Sequence, residues 1–293
     1  MKLVAATRGS PLALWQTHHI AALLEPFDVA VEPLVVVTSG DRDQSAPIHQ
    51  IGGKGVFAKE VQNAVLENRA DFAVHSLKDL PSTTPEGLEL TAVPQRGDPR
   101  DALIGCLFED LPADGHVATG SVRRKVQLAS LRPDLNFHEL RGNIETRLSK
   151  AINYDAILIS FVALVRLGIQ PDIVDILDPE FMLPQVGQGA LGIESRAGDD
   201  VTNDILSRIQ DPVSRAEVDA ERSFLSGIGA DCRSPIAAHA IHQNNQIRLR
   251  SFVASNDGEE IFSDDRYGND GVELGQLAAR ALIESGAGNL FNS

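Results

Sequence analysis

What most constrains this chain is an alternation of two spacings. Short apolar, β-rich runs are followed by stretches with helical period: LVAAT (3–7) by a helix from Pro11, VEPLVVVT (31–38) by a helix from about Gly55 to Asn68, then FAVHS (72–76). A second series repeats it, with HVATGS leading into SVRRKVQLASLRP, NFHEL into NIETRLSKAI, and DAILIS (155–160) at its end. Parallel strands need a crossover of a dozen or more residues, usually a helix, so the alternation predicts parallel sheets with helices on their faces. The 293 residues, 43% of them apolar, suffice for two or three cores, because domains commonly run to about 100–200 residues. The predicted fold class is α/β, with a first lobe over residues 1–94 and 188–210 and a second over 95–187. Residues 211–293 read as a small α+β domain, with a helical stretch EVDAERSFLSGIG, strand candidates IAAHAIH and IRLRSFVAS, and a closing helix from about Val272 to Glu284. QRGDPR (95–100) and the stretch 178–192 read as crossings between the lobes.

The strand-to-helix turns carry the positive charge. The chain has a formal net charge of -15, yet Arg8 stands in ATRGS, Arg123 and Arg124 in ATGSVRR, and Arg141 and Arg147 in RGNIETR. Ser10 and Ser121 fall at helix caps and Pro11 in a first helical turn, where proline is tolerated. Such a turn presents unpaired backbone N–H groups and the positive end of the helix dipole to an anion. A guanidinium fork beside it binds carboxylate or phosphate bidentately. The bland alternatives are ordinary capped helices, and ion pairs of Arg141 or Arg147 with Glu139 or Glu145. Arg123 and Arg124 are adjacent, so helix rotation predicts that they point different ways. Residues 167–293 hold 9 basic against 21 acidic side chains, which excludes the broad basic face that nucleic acid needs. A small ligand with several carboxylates or phosphates fits the distribution.

Lys78 and Asp79 follow the FAVHS run and precede Pro81, which places them at a strand end, where open α/β sheets bind ligands. A pairing between the two is the structural alternative. Gly52-Gly53-Lys54-Gly55 lacks the spacing of a nucleotide-binding P-loop. The adjoining segment 40–50 reads either as a lid or as a plain surface loop. Gly187-Gln188-Gly189-Ala190-Leu191-Gly192 matches GxGxxG without the flanking strand and long helix, so a dinucleotide site is rejected. The eight histidines have no ligand spacing, and no metal is expected. Cys232 lies in a small-residue loop beside Arg233, where a thiol is open to activation, whereas Cys106 sits in the apolar run ALIGCLF. No apolar run approaches the roughly 20 residues of a membrane span, and the N-terminus lacks the pattern of a signal peptide, so no membrane association and a cytoplasmic location are expected.

Taken together, ATRGSPLALWQ, GGKGVFAKE, ENRADFAVHSLKDLP, ATGSVRRKVQL, RPDLNF, RGNIETRLSKA, YDAILIS, LPQVGQGALGIE and GADCRSPIAAHA resemble the hydroxymethylbilane synthase (porphobilinogen deaminase) family, in order and over nearly the whole chain. The resemblance implies two lobes of the periplasmic-binding-protein (type II) kind with a cleft between them, plus a third domain. It implies a transferase of tetrapyrrole and heme biosynthesis that joins four porphobilinogen molecules head to tail on a dipyrromethane cofactor and releases hydroxymethylbilane. Cys232 would carry the cofactor through a thioether, with Lys78, Asp79, Ser121, Arg123 and Arg124 also contacting it. Asp79 would be catalytic, a buried carboxylate that stabilises the cation formed on loss of ammonia. Arg8, Ser10, Arg141, Arg147, Arg166 and Lys54 would bind substrate carboxylates, and the protein would be a monomer. A non-catalytic anion-binding module is the rival from another class. The chain departs from the family at Gly120 in ATGSVRR, Val165 in VALVRL, Asp231 in GADC, and Gln50.

Overall fold

The computed structural model describes residues 1–38, 58–229 and 234–291. Gln50, Lys54, Asp231, Cys232 and the segment 40–50 therefore lie outside the described residues. In chain order the elements are β1 (Lys2–Arg8), α1 (Pro11–Leu24), β2 (Ala30–Val36), α2 (Lys59–Leu66), β3 (Phe72–Ser76), β4 (Leu88–Ala92), β5 (Asp101–Ile104), β6 (His116–Ala118), α3 (Val122–Leu131), β7 (Asn136–His138), α4 (Ile144–Lys150), β8 (Ala156–Ser160), α5 (Phe161–Leu167), β9 (Val174–Ile176), β10 (Leu191–Arg196), α6 (Asp200–Ser207), α7 (Pro212–Ile228), β11 (Ile236–Gln243), β12 (Gln246–Ala254), β13 (Ile261–Gly268) and α8 (Gly271–Glu284). They form two compact units, Met1–Gly97 with Gly189–Arg215, and Asp98–Gln188 with Ala216–Ser293. Among the described residues no helix is long and apolar enough to cross a membrane.

The first unit holds one five-stranded sheet in the order β2-β1-β3-β10-β4. β1 runs parallel to β2 and β3, whereas β10 is antiparallel to β3 and β4. Successive residues of a strand face opposite sides. Ala5 and Phe72 accordingly enter one core with Ile20 and Leu206, and Ala6 and Ala73 the other with Val61 and Val65. Burial on both faces explains why these strands read as continuous apolar runs.

The second unit contains a sheet in the order β7-β6-β8-β5-β9, with β6 parallel to β7 and β8 and with β5 antiparallel to β8 and β9. Counted within each lobe, both sheets have strand order 2-1-3-n-4, where n is the antiparallel strand that follows a crossing of the chain from the other unit. This is the doubled α/β architecture expected from the resemblance. ATRGS and ATGS fall at equivalent places, the turns after β1 and β6.

The same unit also holds the antiparallel sheet β11-β12-β13, whose first hairpin turns at Asn244 and Asn245, both at positive φ. Helices α7 and α8 cover it around Phe224, Leu249 and Leu282. Gly275 lets the two helices approach, because a Cβ there would lie 2.3 Å from the Ala220 carbonyl oxygen. Val126 and Leu183 pack with Ala237, Phe252 and Ala254, so the second lobe and this sheet share a small core.

Candidate anion-binding site

In the first unit, β1 and β3 are parallel neighbours, so their carboxyl ends lie on one edge of the sheet. That edge carries Arg8, Ser10, Lys78 and Asp79. Ser10 caps α1, its Oγ accepting from the Ala13 N–H at 3.3 Å, with Pro11 in the first turn. Lys78 and Asp79 belong to a 3₁₀ turn, Leu77–Asp79, continuing β3. Leu77 and Leu80 are the buried members, which turns Asp79 outward. Asp79 is thus exposed, not the buried carboxylate that the resemblance implied. The end of β3 is held from behind: Gln16 Nε2 donates to Ser76 Oγ at 2.7 Å. His75 Nε2 lies 3.3 Å from Glu194 Oε2, to which Gln62 Nε2 donates at 2.8 Å.

In the second unit, β7, β6 and β8 are parallel neighbours, so the turns after them share an edge as well. Ser121 caps α3, accepting from the Arg124 N–H at 3.4 Å. Arg123 and Arg124 follow, both buried. They do not diverge as helix rotation predicted, because their long side chains wrap onto one carboxylate. Arg123 Nη2 donates to Asp101 Oδ2 at 2.7 Å, and Arg124 Nε to Asp101 Oδ1 at 3.0 Å. Arg123 Nη1 also donates to the Leu183 carbonyl.

Asp101 is fully buried. Burial alone would raise its carboxyl, but the two guanidiniums and the Gln188 amide outweigh it and hold the carboxyl at about 2. Burial lowers Arg123 in turn, against the pull of Asp101. Two cations and one anion leave the cluster with a surplus positive charge beside the N-terminus of α3.

Asn143 caps α4 through the Thr146 N–H at 2.8 Å. Arg141 pairs with Glu139 at 2.5 Å, the ion pair foreseen as its alternative, while Arg147 Nε donates to the Gly142 carbonyl at 2.8 Å. Arg166 is buried near the end of α5, where burial lowers it to about 10, so it remains a cation at neutral pH. Gly120 has a packing role of its own: a Cβ there would lie 2.6 Å from the Leu140 carbonyl oxygen. The turn after β6 therefore closes tightly on the segment leading to Arg141. Val165, by contrast, is exposed.

Guanidinium, ammonium and hydroxyl donors predominate in both sets, and Arg123 Nε is buried with no acceptor among the described residues. One donor of the arginine pair is thus left for an added carboxylate. This donor chemistry fits a dipyrromethane bearing acetate and propionate groups. Among the described residues no group of histidine, cysteine and carboxylate side chains could hold a metal ion. Burial and nearby Asp110 and Asp155 raise the Cys106 thiol, the wrong direction for a working nucleophile. Sequence reasoning missed Asp101, Gln188, Glu194 and Glu221, all buried polar groups. Gln188 and Glu194 lay in the quoted segment LPQVGQGALGIE and Glu221 in the helical stretch EVDAERSFLSGIG, while Asp101 lay in no segment singled out.

A family model described as porphobilinogen deaminase, dipyromethane cofactor binding domain, matches residues 3–204, and one described as porphobilinogen deaminase, C-terminal domain, matches residues 215–284. The chain is 43% identical over 292 residues to a porphobilinogen deaminase of Acidithiobacillus ferrooxidans, covering 97% of this chain and 95% of that protein. It is 41% identical over 300 residues to one of Maridesulfovibrio salexigens, covering 99% and 97%. Among solved structures, the L-cystine solute receptor of Neisseria gonorrhoeae is similar at a TM-score of 0.41 and 12% identity, covering 76% of this chain and 92% of that one.

Proposed function

Since the chain belongs to the porphobilinogen deaminase family, we propose that it joins four porphobilinogen molecules head to tail and releases hydroxymethylbilane, with ammonia as co-product. The observation that carries this reading is the family match across nearly the whole chain. Cys232 holds the dipyrromethane through a thioether. When bound, that group supplies the free pyrrole carbon to which the first porphobilinogen is joined.

The chain's own residues bind and orient. Arg123, Arg124, Ser121 and Lys78 hold cofactor carboxylates, while Arg8, Ser10, Arg141, Arg147, Arg166 and Lys54 take the acetate and propionate groups of the growing chain. An arginine cannot give up its proton near neutral pH, so these contacts persist as the product lengthens. Arg141 already has a surface partner in Glu139, an ion pair worth about 0–1 kcal/mol, so exchange for a bidentate ligand carboxylate costs little. Asp79 accepts hydrogen bonds from pyrrole N–H groups and stabilises the positive charge that develops as ammonia leaves. An exposed carboxylate attracts a cation 4 Å away by only about 1 kcal/mol in water, and by about 4 kcal/mol at a protein-like dielectric. Covering of Asp79 by substrate is therefore what gives the carboxylate its effect.

The test is the intact mass of the protein purified from a heme-producing host, with its colour in an acidic aldehyde reagent for pyrroles. A mass raised by two pyrrole units, with colour, is expected. Folded protein of unmodified mass and no colour would exclude a working synthase.

A further inference from the structure

The Gly187-Gln188-Gly189 turn, which has the glycine spacing of a dinucleotide loop and none of its context, makes a different set of contacts. Both glycines sit at positive φ, 71° and 89°, a conformation that few other residues adopt without strain. The turn is anchored by the Gly187 N–H, which donates to Glu221 Oε2 at 2.7 Å, while Glu221 Oε1 accepts from the Ala240 N–H of β11 at 2.9 Å. Between the glycines, Gln188 is fully buried. Its amide Nε2 donates to the Pro99 carbonyl at 2.6 Å and to Asp101 Oδ1 at 2.7 Å, and its Oε1 accepts from Arg124 Nη2 at 3.2 Å. Two N–H donors and a carbonyl acceptor meet the demands of this position, and a carboxylate or an alkyl group would not.

The charge of the cluster explains why a neutral group stands here. Asp101 cancels one of the two guanidinium charges and leaves the other. A second carboxylate at 188 would cancel that as well, and would face Asp101. An amide fixes the arginine without neutralising it.

We propose that Gln188, together with Asp101, is a positioning residue that holds Arg124 in place while preserving one net positive charge for a ligand carboxylate. This rests on the functional reading above. It assigns a use to the glycine-flanked turn, and it makes Gln188 a determinant of how well the site takes up an anionic pyrrole.

Three variants test it: Gln188→Glu, which keeps shape and adds charge; Gln188→Leu, which removes the amide's bonds; and the double change Asp101→Asn with Gln188→Glu, which relocates the carboxylate and restores the cluster's net charge. Each is purified from the same heme-producing host and measured for melting, for the share of protein carrying the pyrrole mass, and for kcat and KM with porphobilinogen from pH 6 to 9. Gln188→Glu is expected to fold, to carry less pyrrole mass, and to raise KM about tenfold with kcat per pyrrole-carrying molecule nearly kept, as loss of one charged contact implies. Its deficit is constant from pH 6 to 9, because the guanidiniums that hold the Asp101 carboxyl at about 2 keep the introduced carboxyl ionised as well. Gln188→Leu shows a smaller, pH-independent rise in KM, and the double variant returns toward wild type, a coupling that a merely structural role does not produce.

Wild-type mass and KM in both single variants overturn the proposal, as does a deficit in Gln188→Glu that the double variant fails to relieve. If neither single variant folds, the double variant decides alone: a near-wild-type KM supports the proposal, and any other result overturns it. Failure of the functional reading is separate, because it appears as unmodified, inactive wild-type protein.

Discussion

Asp79 and Asp101 carry the same functional group into opposite surroundings, and the difference sorts their roles. Asp101 is enclosed and bonded to two guanidiniums, so losing its carboxylate would leave two buried cations uncompensated. Asp79 stands exposed on a turn whose leucines do the packing. Surface substitutions away from packing usually change stability by no more than about 0.5 kcal/mol. Asp79→Asn is therefore expected to melt like the parent and keep its pyrrole mass, yet lose turnover by about a hundredfold or more, the scale of losing one electrostatic stabiliser. Full turnover in that variant would remove Asp79 from the mechanism. At this scale the sequence revealed what depends on near neighbours. The caps at Ser10 and Ser121 could be read because each acts three residues along the chain. The Arg141 pair could be foreseen because Glu139 is two residues away. Asp101 and Gln188 could not, since their partners are distant in sequence.

Among the elements, strands buried on both faces announced themselves as apolar runs, and FAVHS matches β3 residue for residue. β10 was missed because Glu194 interrupts its apolar character, and Gln62 and His75 are what accommodate that carboxylate. β13 was missed for the opposite reason, as an edge strand without a fully buried side chain. Its polar residues pair instead, Asp264 with Arg266 and Asp265 with Arg248. The crossing of α7 and α8 tests how far packing overrides local preference. Alanine is a better helix former than glycine by about 1 kcal/mol, but its Cβ at 275 would meet the Ala220 carbonyl at 2.3 Å. Backbone cannot move aside as a flexible side chain can, and overpacking typically costs about 1–3 kcal/mol. Gly275→Ala should thus lower the melting temperature of the protein, and a higher one would show that the helices lie further apart.

At the scale of the whole molecule, acid stability follows from where the carboxylates are placed. Asp101 has a folded value of about 2, below the roughly 3.9 of an unfolded aspartate, so its contribution is complete above about pH 5 and disappears as pH falls through the folded value. The shift corresponds to about 2 kcal/mol. Protonation also relieves the repulsion behind the net charge of -15, which works the other way near pH 5. The urea midpoint should consequently change little down to about pH 5 and fall steeply between about pH 4 and 2, with a shallower fall in Asp101→Asn. Equal slopes in the two proteins would show that Asp101 is not the group responsible. The sequence by itself determined the two alternating lobes, the capped turns and the arginines beside them, because each arises from spacing and hydrogen bonds within a few residues. Tertiary structure decided which strand enters each sheet antiparallel, and which buried charges meet. The Asp101 cluster joins residues up to 87 positions apart, and only packing can bring such groups together, since no local period encodes the partner of a buried charge.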